Sequence, residues 1–185
     1  MKKGSNILPV FLMLVVVAAL YRIIPGRPYG FAPQIAMAVF AGAVIKIKRV
    51  AFVLPVLSML LSDVLYQLLY YAGVSPIWGF YEGQFVNYLL FGLLVVVGFL
   101  IKKINLTNIA VASVGAPTVY FLLSNFLVWL SGGGYHRPKT FEGLMMAYQD
   151  GLPFYLNSIV GTLVFAGLFF GGYHLIQQIW KPKLA

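Results

Sequence analysis

The sequence contains no cysteine and few charged residues. Only 9% of its 185 residues are Asp, Glu, Lys or Arg, whereas 61% are hydrophobic. The absence of cysteine excludes disulfides, thiolate metal sites and cysteine nucleophiles. The scarcity of charge, with a mean hydropathy of +0.90, leaves more apolar surface than a soluble domain of this length can bury. We therefore expect an integral membrane protein whose main surroundings are the lipid bilayer.

Long polar stretches and short catalytic motifs are also missing. Without a polar stretch there is no room for a second, soluble domain, so residues 1–185 are predicted to form a single transmembrane domain. HExxH, Walker and GxSxG motifs are absent, and His136 and His174 have no spaced partner that would complete a metal site. We expect no enzyme activity, no cofactor and no metal. Nucleic acid is excluded as a partner because the basic residues form small groups at the ends of apolar runs.

What the sequence does contain is a series of apolar runs bounded by charged residues, Pro or Gly. Each run is predicted to form one helix of an all-α bundle of about six transmembrane helices. The predicted helices are Ile7–Ile24, Ala32–Ile47, Val50–Tyr71, Gln84–Ile101, Ile109–Leu130 and Phe154–Trp180.

Three segments need a separate interpretation. The first run could be a signal peptide, but it continues to Pro25, which favours a retained helix. The second run is short, so we expect Pro25–Pro33 to dip inward or to lie across the top of the bundle. Thr140–Gln149 is predicted to form an interfacial helix capped by Thr140.

The basic residues predict the orientation of the chain. Nine of the 13 fall on one side of the six predicted helices: Lys2, Lys3, Lys46, Lys48, Arg49, Lys102, Lys103, Lys181 and Lys183. The other four fall on the opposite side: Arg22, Arg27, Arg137 and Lys139. Because cytoplasmic loops carry the excess of Lys and Arg, both termini are predicted to be cytoplasmic.

Polar side chains within the predicted helices cluster in their outer halves. They are Asp63, Gln67, Asn87, Asn125, Trp129 and Asn157. The inner halves are apolar, which disfavours a pore and favours a capture cavity that opens outward. Alternatively, these groups hydrogen-bond one another across helices, and Asp63 forms a salt bridge with Arg22 or Arg27.

The outer loops add aromatic rings and a glycine-rich segment. Many of the rings are ordinary membrane anchors, and the remainder are candidates for stacking on a ligand. Ser131–Lys139 is predicted to be a flexible lid over the cavity, or an idle loop. Tyr135 and His136 of this loop, and Arg22, join the polar residues above as candidates for solute binding. The full set is Asp63, Gln67, Asn87, Asn125, Trp129, Asn157, Arg22, Tyr135 and His136.

Small residues recur on two of the predicted helices. The second carries Ala32, Ala36, Ala38 and Gly42, and the sixth carries Gly161, Ala166, Gly167 and Gly171. Such faces permit close helix contact, either within the bundle or with another membrane subunit.

The pattern resembles the substrate-capture (S) components of energy-coupling-factor transporters, and a related group of small bacterial membrane proteins. The resemblance to S components is carried by the six short helices, the cytoplasmic ends, the outward-facing polar cavity, the Ala/Gly-rich second helix and Leu60-Leu61-Ser62-Asp63. The segments that match the related group are Arg22 to Pro25, Pro33 with Phe40-Ala41-Gly42, Pro55 to Asp63, Asn125 to Trp129, and Tyr135 to Gly143 followed by Pro153. Together they cover nearly the whole chain. The resemblance implies a multi-pass protein of the bacterial plasma (inner) membrane that captures a vitamin or metal ion from outside. A transmembrane coupling subunit with ATPases then drives release inward.

Three functions follow as hypotheses. The leading one is a substrate-binding and translocating subunit for a vitamin-like organic solute, because polar groups cluster in the outer halves of the helices and aromatic rings in the outer loops. The resemblance disfavours nickel or cobalt, because the start Met1-Lys2-Lys3 lacks the N-terminal histidine of the metal-specific relatives. The second is a structural or assembly subunit without a ligand of its own. The third is an intramembrane enzyme that uses Asp63 and His136 as an acid/base pair.

Overall fold

The computed structural model of the protein describes residues 7–179. Over this range the chain forms six α-helices and no strand. They are α1 (Ile7–Arg22), α2 (Gln34–Val44), α3 (Lys48–Tyr71), α4 (Gln84–Phe99), α5 (Leu106–Ser131) and α6 (Phe141–Ile179). The predicted all-α fold is confirmed, and α3, α5 and α6 are long and apolar enough to cross a membrane.

The first five helices end within three residues of their predicted limits, and local chemistry explains several of the ends. Asn105 caps α5, since its side-chain oxygen accepts a hydrogen bond of 2.8 Å from the backbone N–H of Asn108. Gly132 ends the same helix with φ +81°, a conformation that suits glycine. Gly83 precedes α4 with φ +82°. The predictions for Lys2, Lys3, Trp180, Lys181 and Lys183 lie outside the described residues.

The prediction of a separate interfacial helix before the sixth span was wrong. Thr140 does cap a helix, because its Oγ1 accepts a hydrogen bond of 3.1 Å from the N–H of Gly143. That helix is α6, whose 39 residues continue through Pro153 without a break. Proline removes one helical hydrogen bond but need not end a helix that is packed on both sides of it. Here Gly151 lies against Asn125 of α5, and Phe154 lies against Gly30.

The shortest helix, α2, occupies the centre of the bundle. All residues from Gln34 to Gly42 are buried, and α2 contacts α3, α4, α5 and α6. It also reaches α1, because Gln34 donates a hydrogen bond of 3.2 Å to the carbonyl of Ala18. The preceding connection packs tightly on α6, where a Cβ at Gly30 would lie 2.3 Å from the carbonyl oxygen of Phe154. This connection lets a helix of 11 residues begin inside the bundle.

The fold separates the charges into two ends of the bundle. The α2–α3 and α4–α5 connections lie at the same end of the bundle, which we call the basic end. Lys48, the first residue of α3, has its Nζ 5.5 Å from the ring centroid of Phe99, the last residue of α4. The described cations of the basic end are Lys46, Lys48, Arg49, Lys102 and Lys103. The opposite, neutral end carries four basic and all four acidic residues: Arg22, Arg27, Arg137, Lys139, Asp63, Glu82, Glu142 and Asp150.

Candidate functional site

Asp63 is the centre of a buried polar cluster that joins three helices. One carboxylate oxygen accepts a hydrogen bond from Arg22 at the end of α1. The other accepts hydrogen bonds from Gln84 and Tyr88 of α4, at 2.5 and 2.7 Å. Arg22 also donates to the hydroxyl of Ser62 at 2.6 Å. We call Arg22, Ser62, Asp63, Gln84 and Tyr88 the Asp63 cluster.

This cluster gives Asp63 a structural partner for each oxygen. The side chain of Asp63 is 1% exposed and that of Arg22 is 16% exposed, so the carboxylate reaches a solute only if these bonds break. A buried ion pair with both oxygens hydrogen-bonded is costly to disrupt, because removing one partner leaves an uncompensated charge. The predicted salt bridge to Arg22 is confirmed.

Three further predicted site residues make contacts that hold helices and loops together. Gln67 accepts hydrogen bonds from the backbone N–H groups of Gly79 and Phe80 at 3.2 and 3.3 Å, which fixes the α3–α4 connection. Asn87 of α4 accepts a bond of 2.6 Å from the hydroxyl of Tyr120 on α5. Asn157 of α6 donates to the carbonyl of Tyr29 at 2.9 Å, which ties the α1–α2 connection to α6.

Three of the four remaining predicted residues lie around a cavity between α5 and α6, beneath the α5–α6 connection, whereas His136 does not line it. This hairpin cavity has a volume of about 160 Å³, and Asn125, Trp129 and Tyr135 contribute to its lining with Arg137, Asp150 and Phe154. Three of the predicted residues therefore share one cavity. Asn125 is held in place by a hydrogen bond of 2.8 Å from its Nδ2 to the carbonyl of Phe121.

Arg137 and Asp150 form a two-bond ion pair in the wall of the hairpin cavity. Arg137 Nε and Nη2 each donate to one carboxylate oxygen at 2.9 Å. The hydrogen bond that Arg137 donates to Asp150 raises the pKa of Arg137 above its ordinary value. Because the two charges compensate each other, the wall carries an ion pair without net charge.

The α5–α6 connection, which lines one side of this cavity, has a defined conformation. Trp129 Nε1 donates a hydrogen bond of 2.8 Å to the carbonyl of Pro138, and Lys139 Nζ lies 5.2 Å from the indole centroid. His136 contacts the carbonyl of Gly132 through Nδ1 at 2.6 Å and has φ +52°. His136 is not a hydrogen-bond partner of Asp63, so the acid/base pair considered from the sequence is not assembled in this structure.

A second cavity lies between the α1–α2 and α3–α4 connections, and its volume is about 240 Å³. We call it the loop cavity. Four of its lining residues have polar side chains, namely Arg27, Tyr29, Tyr66 and Ser75, and the others are mainly aliphatic residues and prolines. None of the nine predicted solute-binding residues lines it.

The small residues of α2 pack against other helices within the bundle. Ala36, Ala38 and Ala41 have no exposed surface, and Gly42 meets Gly98 where α2 crosses α4. On α6, Gly161 packs on Phe31, whereas added Cβ atoms at Gly167 and Gly171 would meet nothing within 4 Å.

The sequence from residue 2 to residue 184 matches the model of a family described as DUF6580, a family of unknown function. The chain belongs to the DUF6580 family. No curated protein and no solved structure was found to match it. The match spans all six helices, so the Asp63 cluster and both cavities lie inside the DUF6580 domain.

Sequence reasoning missed several residues of these sites in the DUF6580 chain. Gln84 and Tyr88 were not selected, although their i, i+4 spacing at the start of α4 places both on the face towards Asp63. Asp150 was also missed, because it lies 13 residues from Arg137 across a helix start. Arg27 was considered only as a partner of Asp63, whereas its hydrogen bonds go to carbonyl oxygens.

Proposed function

We propose that this protein is a six-span subunit of a bacterial plasma membrane that binds a small organic solute at the neutral end for uptake. Both termini lie in the cytoplasm with the basic end, in keeping with the excess of Lys and Arg on the cytoplasmic side of membrane proteins. The separation of five described cations from all four acidic residues supports this orientation.

The observation that carries the proposal is the hairpin cavity. Asn125, Trp129 and Tyr135 were selected from sequence as solute-binding residues, and the three line one space beneath the connection predicted to act as a lid. An amide, an indole and a phenol together supply hydrogen bonds and a ring surface, a combination that is typical of small-molecule sites.

The size and charge of the hairpin cavity suggest the class of solute. A cavity of about 150 Å³ holds one benzene molecule, so a volume of about 160 Å³ suits a solute built on a single ring. The charged groups of its wall are the compensated Arg137–Asp150 pair, and Lys139 lies outside the lining with its Nζ over the indole of Trp129. We therefore expect an uncharged or zwitterionic ring-bearing molecule of the vitamin type.

Uptake requires energy from a partner in this proposal. Below the neutral end the bundle is filled by a hydrophobic core that includes Val39, Leu94 and Phe170, so release inward needs a conformational change. By its resemblance to S components, the protein would work with a transmembrane coupling subunit and ATPases.

Native mass spectrometry of the full-length protein, purified gently from its own membrane, tests the proposal. We expect a retained organic molecule of about one ring. Asn125→Ala should lower its occupancy at least tenfold. Gly151→Ala should do the same, because the added Cβ would displace the Asn125 side chain, whose atoms lie 2.5–2.8 Å away. Asn87→Ala is the matched control, since Asn87 bonds Tyr81 and Tyr120 outside the cavity.

A second candidate function is that of a structural or assembly subunit. It is favoured by the use of Asp63, Gln67, Asn87 and Asn157 in contacts between helices and loops. The same experiment separates the two: protein that carries no solute but retains a fixed membrane partner supports the structural function, and equal occupancy in Asn125→Ala contradicts our assignment of the cavity.

A further inference from the structure

The loop cavity differs from the hairpin cavity in the charge of its wall. Its one cationic side chain is Arg27, which is half-buried. The described ion pairs are Arg22–Asp63 and Arg137–Asp150, so no described carboxylate lies within 4.0 Å of Arg27. A half-buried guanidinium without a counter-ion favours an anionic ligand.

The hydrogen bonds of Arg27 leave part of its guanidinium available. Nε donates to the carbonyl of Arg22 at 2.6 Å, and Nη1 donates to the carbonyl of Phe31 at 3.4 Å. Nη2 has no hydrogen-bond partner among residues 11–178. Both bonds go to neutral carbonyl oxygens, which orient the group without cancelling its charge.

The Asp63 cluster holds this arginine in position through Arg22. The guanidinium of Arg22 is bound to Asp63 and Ser62, while its backbone carbonyl accepts hydrogen bonds from Arg27 and from the hydroxyl of Tyr66, the latter at 2.6 Å. Both donors line the loop cavity. The buried ion pair thus fixes two walls of the cavity before any ligand enters, and this preorganisation lowers the cost of binding.

Apart from Arg27, Ser75 and the two tyrosines, the lining of the loop cavity is mainly apolar. Ile23, Ile24, Leu69, Val74 and Ile77 surround it, with the ring of Tyr29 on one side. Its volume of about 240 Å³ exceeds that of the hairpin cavity and accommodates a ring with a short substituent.

We propose that the loop cavity is a second binding site, which takes a small organic monocarboxylate with its carboxylate on Arg27 and its apolar body against Ile77 and Tyr29. One guanidinium matches the charge and planar geometry of one carboxylate. The two cavities share no lining residue, so each site can be tested by variants of its own lining.

Benzoate is the probe for this site, measured by saturation-transfer NMR on the full-length protein in an uncharged detergent. We expect benzoate to bind the wild type and benzyl alcohol, its uncharged analogue, to bind at least tenfold more weakly. Arg27→Gln should weaken benzoate binding at least tenfold. Ile77→Trp should do so as well, because a larger side chain at this lining position reduces the cavity volume, and Ile77 takes no part in the hydrogen bonds of Arg27.

Two matched controls separate this site from the hairpin cavity. Arg137→Gln removes a cation of the neutral end, and Asn125→Ala alters the other cavity; both should bind benzoate like the wild type. If Arg27→Gln does not fold, Ile77→Trp decides the question alone.

Four results would overturn the proposal. They are a folded wild type that does not bind benzoate, equal binding of benzoate and benzyl alcohol, unchanged binding in Ile77→Trp, and displacement of benzoate by an equal concentration of inorganic phosphate. The last result would mean that Arg27 attracts any anion, a lipid phosphate included.

Discussion

The rings of Tyr29 and Phe154 meet edge to face, with their centroids 6.2 Å apart and their planes at 74°. Tyr29 lines the loop cavity and Phe154 lines the hairpin cavity. The two cavities are therefore neighbours that meet across one aromatic pair. Asn157 of α6 stabilises this boundary, because its side chain donates a hydrogen bond to the backbone carbonyl of Tyr29.

The aromatic pair predicts a weak coupling between the cavities. Edge-to-face pairs contribute about 0.5–1.5 kcal/mol beyond burial. Because the Phe154 ring helps to hold the ring of Tyr29 in place, its loss should weaken benzoate binding in the loop cavity by at most about two- to tenfold. Phe154→Ala tests this by NMR titration. Phe141→Ala, which removes an exposed ring elsewhere on α6, should leave the affinity unchanged; equal losses in both variants would contradict the coupling.

The crossing of α2 and α4 at Gly42 and Gly98 should tolerate no added side chain. A Cβ at Gly42 would lie 2.2 Å from the carbonyl oxygen of Val95, and one at Gly98 would lie 2.3 Å from that of Val39. Since backbone atoms cannot move aside as a side chain does, each Gly→Ala change should cost about 1–3 kcal/mol. Thermal unfolding in detergent measures this loss.

Gly115 and Gly167 are the controls for that crossing. Both lie inside helices, and an added Cβ would meet nothing within 4 Å. Alanine favours helix over glycine by about 1 kcal/mol, so these variants should be neutral or slightly more stable. A loss of stability as large as that of Gly42→Ala would refute the close-crossing explanation.

The two ion pairs of the neutral end should differ strongly in their importance for folding. Asp63 is 1% exposed, whereas Asp150 is 24% exposed. Asp63→Leu leaves Arg22 with an uncompensated buried charge and should cost about 3–5 kcal/mol. Asp150→Leu should cost much less, because water solvates the released Arg137.

A double variant tests whether the loss of stability in Asp63→Leu comes from the unpaired charge of Arg22. Arg22→Met combined with Asp63→Leu should recover most of the stability lost by Asp63→Leu alone. Proteins in which apolar side chains replace both members of a buried ion pair are often as stable as the original. Additive losses in the double variant would mean that the two residues act separately.

The absence of cysteine makes the proposed topology directly measurable. Single cysteines at Lys46 and Lys103 should be protected from a membrane-impermeant thiol reagent in intact cells, because both lie at the basic end. Cysteines at Val74 and Ser131, in or beside connections of the neutral end, should be labelled. The unsubstituted protein gives the background, and labelling at both ends would contradict six crossings.

The helices could be predicted from sequence because apolar runs with Pro, Gly or charge at their ends are local features. The exception was the start of α6, where Pro153 suggested a break that the packing of Gly151 on Asn125 prevents. This contact could not be predicted from the local sequence, since the two residues are 26 positions apart.

The candidate sites were less predictable, because they depend on which helices are neighbours. Depth along a helix placed Asp63 and Asn125 correctly near one end of the bundle. Asn125 and Trp129, selected by depth, and Tyr135, selected from the glycine-rich loop, line one cavity. Depth along a helix does not distinguish a side chain that faces a cavity from one that forms hydrogen bonds with the backbone of a loop. Gln67 and Asn157 are of the second kind.

The length of α2 has a consequence for how the protein is made. At about 1.5 Å per residue, its 11 residues span about 16 Å, half the thickness of the hydrocarbon layer. Such a segment is marginal as an isolated helix, and four of the helices that surround it are synthesised after it. On the proposed topology, α2 therefore settles into place only once α3 to α6 have left the ribosome, so the centre of the bundle is among the last parts to be completed.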